Sequence, residues 1–165
     1  RSIAVSTVEY MRTIREKYSK MGYAPYGWHE ATDVPPWTPL AKPLSECRVG
    51  MMCTAGTYVA GQEAYFYKDD TSHRVIPSDT AVEDLRFSHL TENYLPDARR
   101  DANCALPIEP LRQLAAEGVI GSLADNFFSC MGAVYSKRRV DEELAPAMYE
   151  AFAEAEVDVA YLVPL

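Results

Sequence analysis

The chain has 165 residues, 48% of them apolar and 24% charged, enough for one compact domain whose core needs neither disulfides nor metal. Sixteen basic against twenty-four acidic residues give a net charge of −8, and no base follows Arg139. A nucleic-acid binder or a protein held on an anionic bilayer needs the opposite sign, so neither partner is expected; nor does any apolar run reach the roughly 18–20 residues of a spanning helix.

In chain order, residues 6–21 read as an amphipathic helix, with Val8, Met11, Ile14, Tyr18 and Met21 on one stripe, Ser6 and Glu9 as a capping box, and Gly22 as the stop. Tyr23 to Pro43 holds five prolines, both tryptophans and His29. Proline at this density forbids a helix or central strand. Aromatics at this density want cover, so the segment is expected to be an extended arm laid on its own domain or on a partner subunit. These residues, 1–42, precede an α/β domain over 43–165.

That domain opens with Arg48–Cys53, an apolar run bounded by turn signals and read as a buried strand leading into the small loop Thr54-Ala55-Gly56. Val75-Ile76 and Leu85–Phe87 read as short extended pieces. Pro107–Glu117 reads as a helix capped by Gly118. Val119–Gly121 and Phe127–Cys130 read as extended, Asp141–Glu156 as a helix with one apolar face, and Asp158–Val163 as a buried strand. Helices alternating with apolar strands give an α/β fold, an open and mostly parallel sheet with helices on its faces. Working residues of such sheets lie just beyond the carboxyl ends of the strands. A last strand running into Pro164-Leu165 therefore leads to the expectation that the polypeptide continues, or that a second chain supplies the next segment of the fold.

The four cysteines, Cys47, Cys53, Cys104 and Cys130, form no C-x-x-C pair and match neither a zinc site nor a disulfide framework. Each sits in an apolar stretch, so reduced, buried and inert thiols are expected, in keeping with a cytoplasmic protein that has no signal-peptide pattern. Phosphate-cradling, dinucleotide, zinc-protease and serine-hydrolase motifs are absent, and the three histidines have no ligand spacing, so no metal is expected.

The chemistry concentrates between Ser72 and Asn103. Arg74, Arg86, Asp84, Ser88, Asp101 and Asn103 interleave with apolar residues in a way that suits a small zwitterion, Arg holding a carboxylate and Asp an ammonium. His89, at the end of a strand-like run, is the candidate general acid. Backbone N–H groups around Thr54 and Gly56 could face an anion. The plainer alternative is surface ion pairing around loops.

The runs P-L-S-E-C-R-V-G-M-M-C-T-A-G (43–56), S-H-R-V-I-P (72–77), D-L-R-F-S-H (84–89), D-A-N-C-A-L-P-I-E-P-L-R-Q-L-A-A-E-G-V-I-G-S-L-A (101–124), F-S-C-M-G (128–132) and V-D-V-A-Y-L-V-P (157–164) together resemble the glycine/sarcosine/betaine/D-proline reductase selenoprotein B type. The resemblance implies reductive cleavage of a carbon–nitrogen bond α to a carboxylate by a selenol or thiol that a dithiol donor resets. It also implies a pyruvoyl group on a partner subunit, an oligomeric assembly, and a reactive selenocysteine or cysteine directly after Leu165. None of the four cysteines stands at that position; Cys53, at a strand end, is a weak redox candidate. The expected function is a subunit or fragment of such a reductase. The alternative is a non-catalytic ligand-binding or assembly subunit of the same fold.

Overall fold

The computed structural model describes residues 9–25 and 30–165. They fall into two units, residues 1–38 and 39–165. In the first, helix α1 (Tyr10–Lys20) starts later than its apolar stripe indicates, with Glu9 itself at the N-cap. The Ser6–Glu9 capping box is therefore not its start, and Ser6 lies outside the described residues. The exit is as expected: Gly22 takes φ +81°, and the Tyr23 N–H reaches back to the Tyr18 carbonyl at 3.0 Å. His29 and Trp28 of the proline-rich arm lie outside the described residues.

In the second unit, β1 (Arg48–Cys53) is central to a sheet. β7 (Val159–Val163) runs parallel to it along one edge, in register from Val49↔Val159 to Cys53↔Val163. The other edge pairs in succession with β5 (Ser122–Leu123) and β6 (Asn126–Cys130), both parallel. The strand β3 (His73–Pro77) then adds antiparallel to β6. A separate antiparallel pair, β2 (Thr57–Val59) with β4 (Leu85–Phe87), completes the strands.

Alternation along β1 and β6 sets two cores. Val49, Met51, Cys53 and Phe127 point to the face covered by Leu85 and Phe87 of β4, Leu95, Ala98 of α2 (Pro96–Arg100), and Ile108 and Leu111 of α3 (Ile108–Ala116). Phe128 and Cys130 point to the opposite face, against Leu144 and Met148 with Met52 and Phe152. The single helix read over Asp141–Glu156 is three pieces: α4 (Lys137–Arg139), a π-turn (Val140–Leu144) and α5 (Ala145–Glu154). Pro146, without an N–H, cannot continue an α-ladder, which accounts for the change of register there. The helix presses on β1 at Gly50, where a Cβ would lie 2.7 Å from Val157 and 2.9 Å from Phe152.

Two expectations need correction. β7 is an edge strand: its outer side has no partner strand among the described residues, and Ala160, Tyr161 and Leu162 are exposed. An apolar run reads alike at an edge and in the middle of a sheet. Cys104 is exposed, whereas Cys47, Cys53 and Cys130 are buried and free. Cys104 sits in a short 3-10 turn, Ala102–Cys104, which leaves its side chain outside the core.

Candidate functional site

The carboxyl ends of β1, β6 and β7 converge on Thr54. Its N–H donates to the Val163 carbonyl (3.1 Å), its carbonyl accepts from the Gly132 N–H (2.8 Å), and its Oγ1 accepts from the Leu165 N–H (2.9 Å). Two residues on, the Gly56 N–H donates to the Cys130 carbonyl (3.0 Å), and the Gly56 carbonyl accepts from the Ser88 N–H (2.9 Å). Gly56 has φ +64°, and a Cβ there would stand 2.0 Å from the Ser88 carbonyl oxygen. Only glycine permits this approach. It lays Ser88 and His89 against the loop at the carboxyl edge.

His89 is 8% exposed. Its Nδ1 accepts from the Thr91 N–H (3.1 Å) and lies 2.7 Å from Thr91 Oγ1, whereas Nε2 is buried with no partner among the described residues. Burial pushes its pKa down from the ordinary imidazole value, with Glu92 opposing the shift.

Beneath this edge lies a buried polar cluster that sequence reasoning missed. Ser129 Oγ accepts from the Thr57 N–H (2.8 Å) and from the Cys53 thiol (3.4 Å), and Cys53 Sγ lies 3.3 Å from Thr57 Oγ1. The Tyr65 hydroxyl donates to the Ser129 carbonyl (2.6 Å), and burial holds the phenol well above its usual pKa. A polar residue in the apolar run Phe127–Cys130 is the available signal, since alternation puts Ser129 on the same face as Phe127. On the other face, an apolar cavity of about 420 Å³ opens between β1, β6, β7 and the helix, lined by Met52, Thr54, Cys130, Leu144, Met148 and Leu162 among others.

The remaining predicted residues do not join His89 in one pocket. Arg86 points away from Leu85 and Phe87 into a cleft of about 490 Å³ shared with Asp101, Asn103, Tyr58 and Glu109. Its Nη1 donates to the carbonyls of Glu83 (2.6 Å) and Leu85 (2.8 Å). Asp101 accepts from the Asn103 N–H (2.9 Å), and Asn103 accepts from the Glu109 N–H in the first turn of α3 (3.1 Å). Asp101 thereby caps the 3-10 turn Ala102–Cys104, and Asn103 satisfies a first-turn N–H of α3. Asp84 contributes its carbonyl, which accepts from the Ala60 N–H (2.8 Å). Arg74, on β3, donates to the Glu63 carbonyl (2.8 Å) and stacks 4.4 Å from the centre of the Tyr65 ring. The polar stretch is thus distributed over three places, because β3 and β4 belong to different sheets.

The thiols differ sharply. Cys53 is fully enclosed, and burial pushes the Cys130 thiol up to about 12. Cys104 is exposed, its pKa raised by partial burial and then by Asp101 and Asp97. Among these four thiols, iodoacetamide on the native protein should alkylate Cys104 first, and Cys53 and Cys130 only after denaturation; peptide mapping by mass spectrometry reads the order.

Among the described residues no cluster of side chains could hold a metal ion, and no helix is long and apolar enough to cross a membrane. The family model for glycine/sarcosine/betaine reductase selenoprotein B matches residues 30–164. The chain is 34% identical over 131 residues to the D-proline reductase subunit gamma of Acetoanaerobium sticklandii, covering 79% of this chain and 54% of that protein. It therefore spans about half the length of that relative. No solved structure matches. The family model covers most of the chain and the relative 79% of it, and the chain belongs to the glycine/sarcosine/betaine reductase selenoprotein B family.

Proposed function

We propose that this chain is part of a subunit of a thiol- or selenol-dependent reductase that cleaves a carbon–nitrogen bond of a small amino-acid-like substrate. In this reading the reactive cysteine or selenocysteine directly follows Leu165. The observation that carries it is the hydrogen bond from the Leu165 N–H to Thr54 Oγ1, which ties the chain leaving β7 to the edge where Gly56 and His89 lie. Parallel sheets assemble their sites at that edge. Such a group would supply a nucleophile that bonds to the carbon as the C–N bond breaks and the nitrogen takes up a proton; a dithiol donor would then break the bond between carbon and nucleophile, the carbon taking up a proton and the dithiol becoming a disulfide.

The chain's own residues bind and orient. His89 lies with its backbone beside Gly56, and its buried Nε2 has no partner among the described residues. Arg86 is the better of the two arginines for the substrate carboxylate. Arg74 has its guanidinium engaged by backbone carbonyls and by Tyr65, whereas Nε and Nη2 of Arg86 have no partner among the described residues. Two residues lie between Arg86 and His89, so their Cα atoms stand at most about 10 Å apart. A pyruvoyl group on a partner subunit would capture the substrate amine, in an oligomeric cytoplasmic assembly.

A second reading is favoured by one observation: the Cys104 and Cys130 thiols are both pushed away from the thiolate, and Cys53 is fully enclosed. On that reading the chain is a binding or assembly subunit without chemistry of its own. The test uses the native protein with its partner subunits, dithiothreitol and D-proline, scoring ring-opened 5-aminopentanoate. Dithiol-dependent product that alkylation abolishes supports the reductase. Substrate binding without product, on a polypeptide that has no reactive thiol after Leu165, supports the binding subunit and ends the catalytic reading.

A further inference from the structure

His89 reaches the carboxyl edge in one chemical form. The Thr91 backbone N–H, 3.1 Å from Nδ1, is a fixed donor, and Thr91 Oγ1 lies 2.7 Å from the same nitrogen. An amide N–H cannot accept, so Nδ1 carries the lone pair and the single ring proton sits on Nε2. That Nε2–H is a buried donor without an acceptor among the described residues, on a side chain more than nine-tenths buried. Native structures retain few such groups, and their presence at a site calls for a ligand or water.

A proton added to Nδ1 would face the Thr91 N–H head-on, donor against donor, and burial opposes the cation as well. Glu92 is the charged group acting on His89 and favours the cation, but its carboxylate is engaged by Arg99. An amino acid at neutral pH offers no lone pair on its ammonium nitrogen. The acceptors it brings are carboxylate oxygens.

We propose that Thr91 is a positioning residue that locks His89 as a neutral imidazole, and that Nε2–H donates a hydrogen bond to a carboxylate or carbonyl oxygen of the bound small molecule rather than transferring a proton. The identity of that molecule rests on the reductase reading; the tautomer does not. In this role His89 orients substrate without changing its own charge, as a neutral imidazole can where a fixed donor holds its second nitrogen.

The test is long-range proton–nitrogen NMR on protein labelled with nitrogen-15 histidine, with His89→Gln to assign the signals. His89 should show an unprotonated Nδ1 and a protonated Nε2 at neutral pH, with a titration midpoint below the ordinary imidazole value of about 6.5. Thr91→Val keeps the N–H and removes the hydroxyl, so the titration midpoint should rise, and Thr91→Ser should return it. With pyrrole-2-carboxylate as probe, the Nε2–H signal should move downfield while Nδ1 stays unprotonated. A proton on Nδ1 in the free protein or a midpoint near 6.5 overturns the lock, and Thr91→Val indistinguishable from the parent overturns the hydroxyl's share in it. Imidazolium formation with the probe, or probe binding that leaves the His89 signals unmoved, overturns the donor role. If the tautomer holds and the probe does not bind at all, the amino-acid reading of the substrate falls instead.

Discussion

Gly56→Ala is expected to destabilise the protein by about 3–5 kcal/mol, from left-handed backbone strain together with overpacking against a backbone atom. The new Cβ would lie 2.0 Å from the Ser88 carbonyl oxygen and 2.9 Å from its carbon, neither of which can swing aside as a side chain would. Relief requires moving the Ser88–His89 segment away from the loop, with loss of the Ser88 N–H bond to the Gly56 carbonyl. Thermal unfolding should shift down by roughly 10 °C, and any binding function of His89 should be lost even in protein that remains folded. Gly118→Ala separates the two contributions. Gly118 has φ +73° but nothing within 4 Å of its Cβ position, so it carries the backbone cost alone, about 1 kcal/mol. Equal losses for the two variants in a denaturant titration would show that the close approach at Gly56 contributes nothing.

Phe127→Ala should cost about 3–5 kcal/mol, a large share of the 5–15 kcal/mol typical of a domain this size. The ring is fully buried on β6, in the core cluster that also holds Ile76 and Met51. Its backbone pairs with Ile76, so the strand register also depends on that packing. Phe127→Leu keeps most of the volume and should lose less than about 1.5 kcal/mol. If both variants unfolded at the parent's denaturant midpoint, the two-faced core would be wrong.

Both positions bear on what can be read without coordinates. Phe127 is legible: it belongs to a short apolar run bounded by turn residues, and such a run is a buried strand or little else. The same holds for Arg48–Cys53 as the first strand of the sheet and for the helix near Pro107–Glu117, found at Ile108–Ala116. Gly56 is legible only as a small residue in a loop, because its left-handed backbone is required by Ser88, 32 positions away. The π-turn that interrupts the last helix leaves no mark in the apolar periodicity, although Pro146 stands at the break.

The candidate site divides the same way. His89 and the Thr54–Gly56 loop come from the ends of strand-like runs, and the structure brings them together at one edge. Arg74, Arg86, Asp101 and Asn103 share a polar stretch with His89 in sequence but go elsewhere, Asp101 to cap a 3-10 turn and Asn103 to accept from the first turn of α3. Cys53 stands at a strand end, yet the face it occupies encloses it between Thr57 and Ser129.

The family, the α/β class and the apolar strands and helices are carried by the order of residues alone, because motifs and periodicity are local properties of neighbours. It took the folded chain to decide that β7 is an edge, that Ser129 and Tyr65 underlie the site, and that Thr91 fixes the proton of His89. Those facts depend on strand order, register and the direction of single hydrogen bonds. Such pairings join residues as far apart as Thr57 and Ser129, or turn on which of two ring nitrogens meets an amide, and no local pattern encodes them.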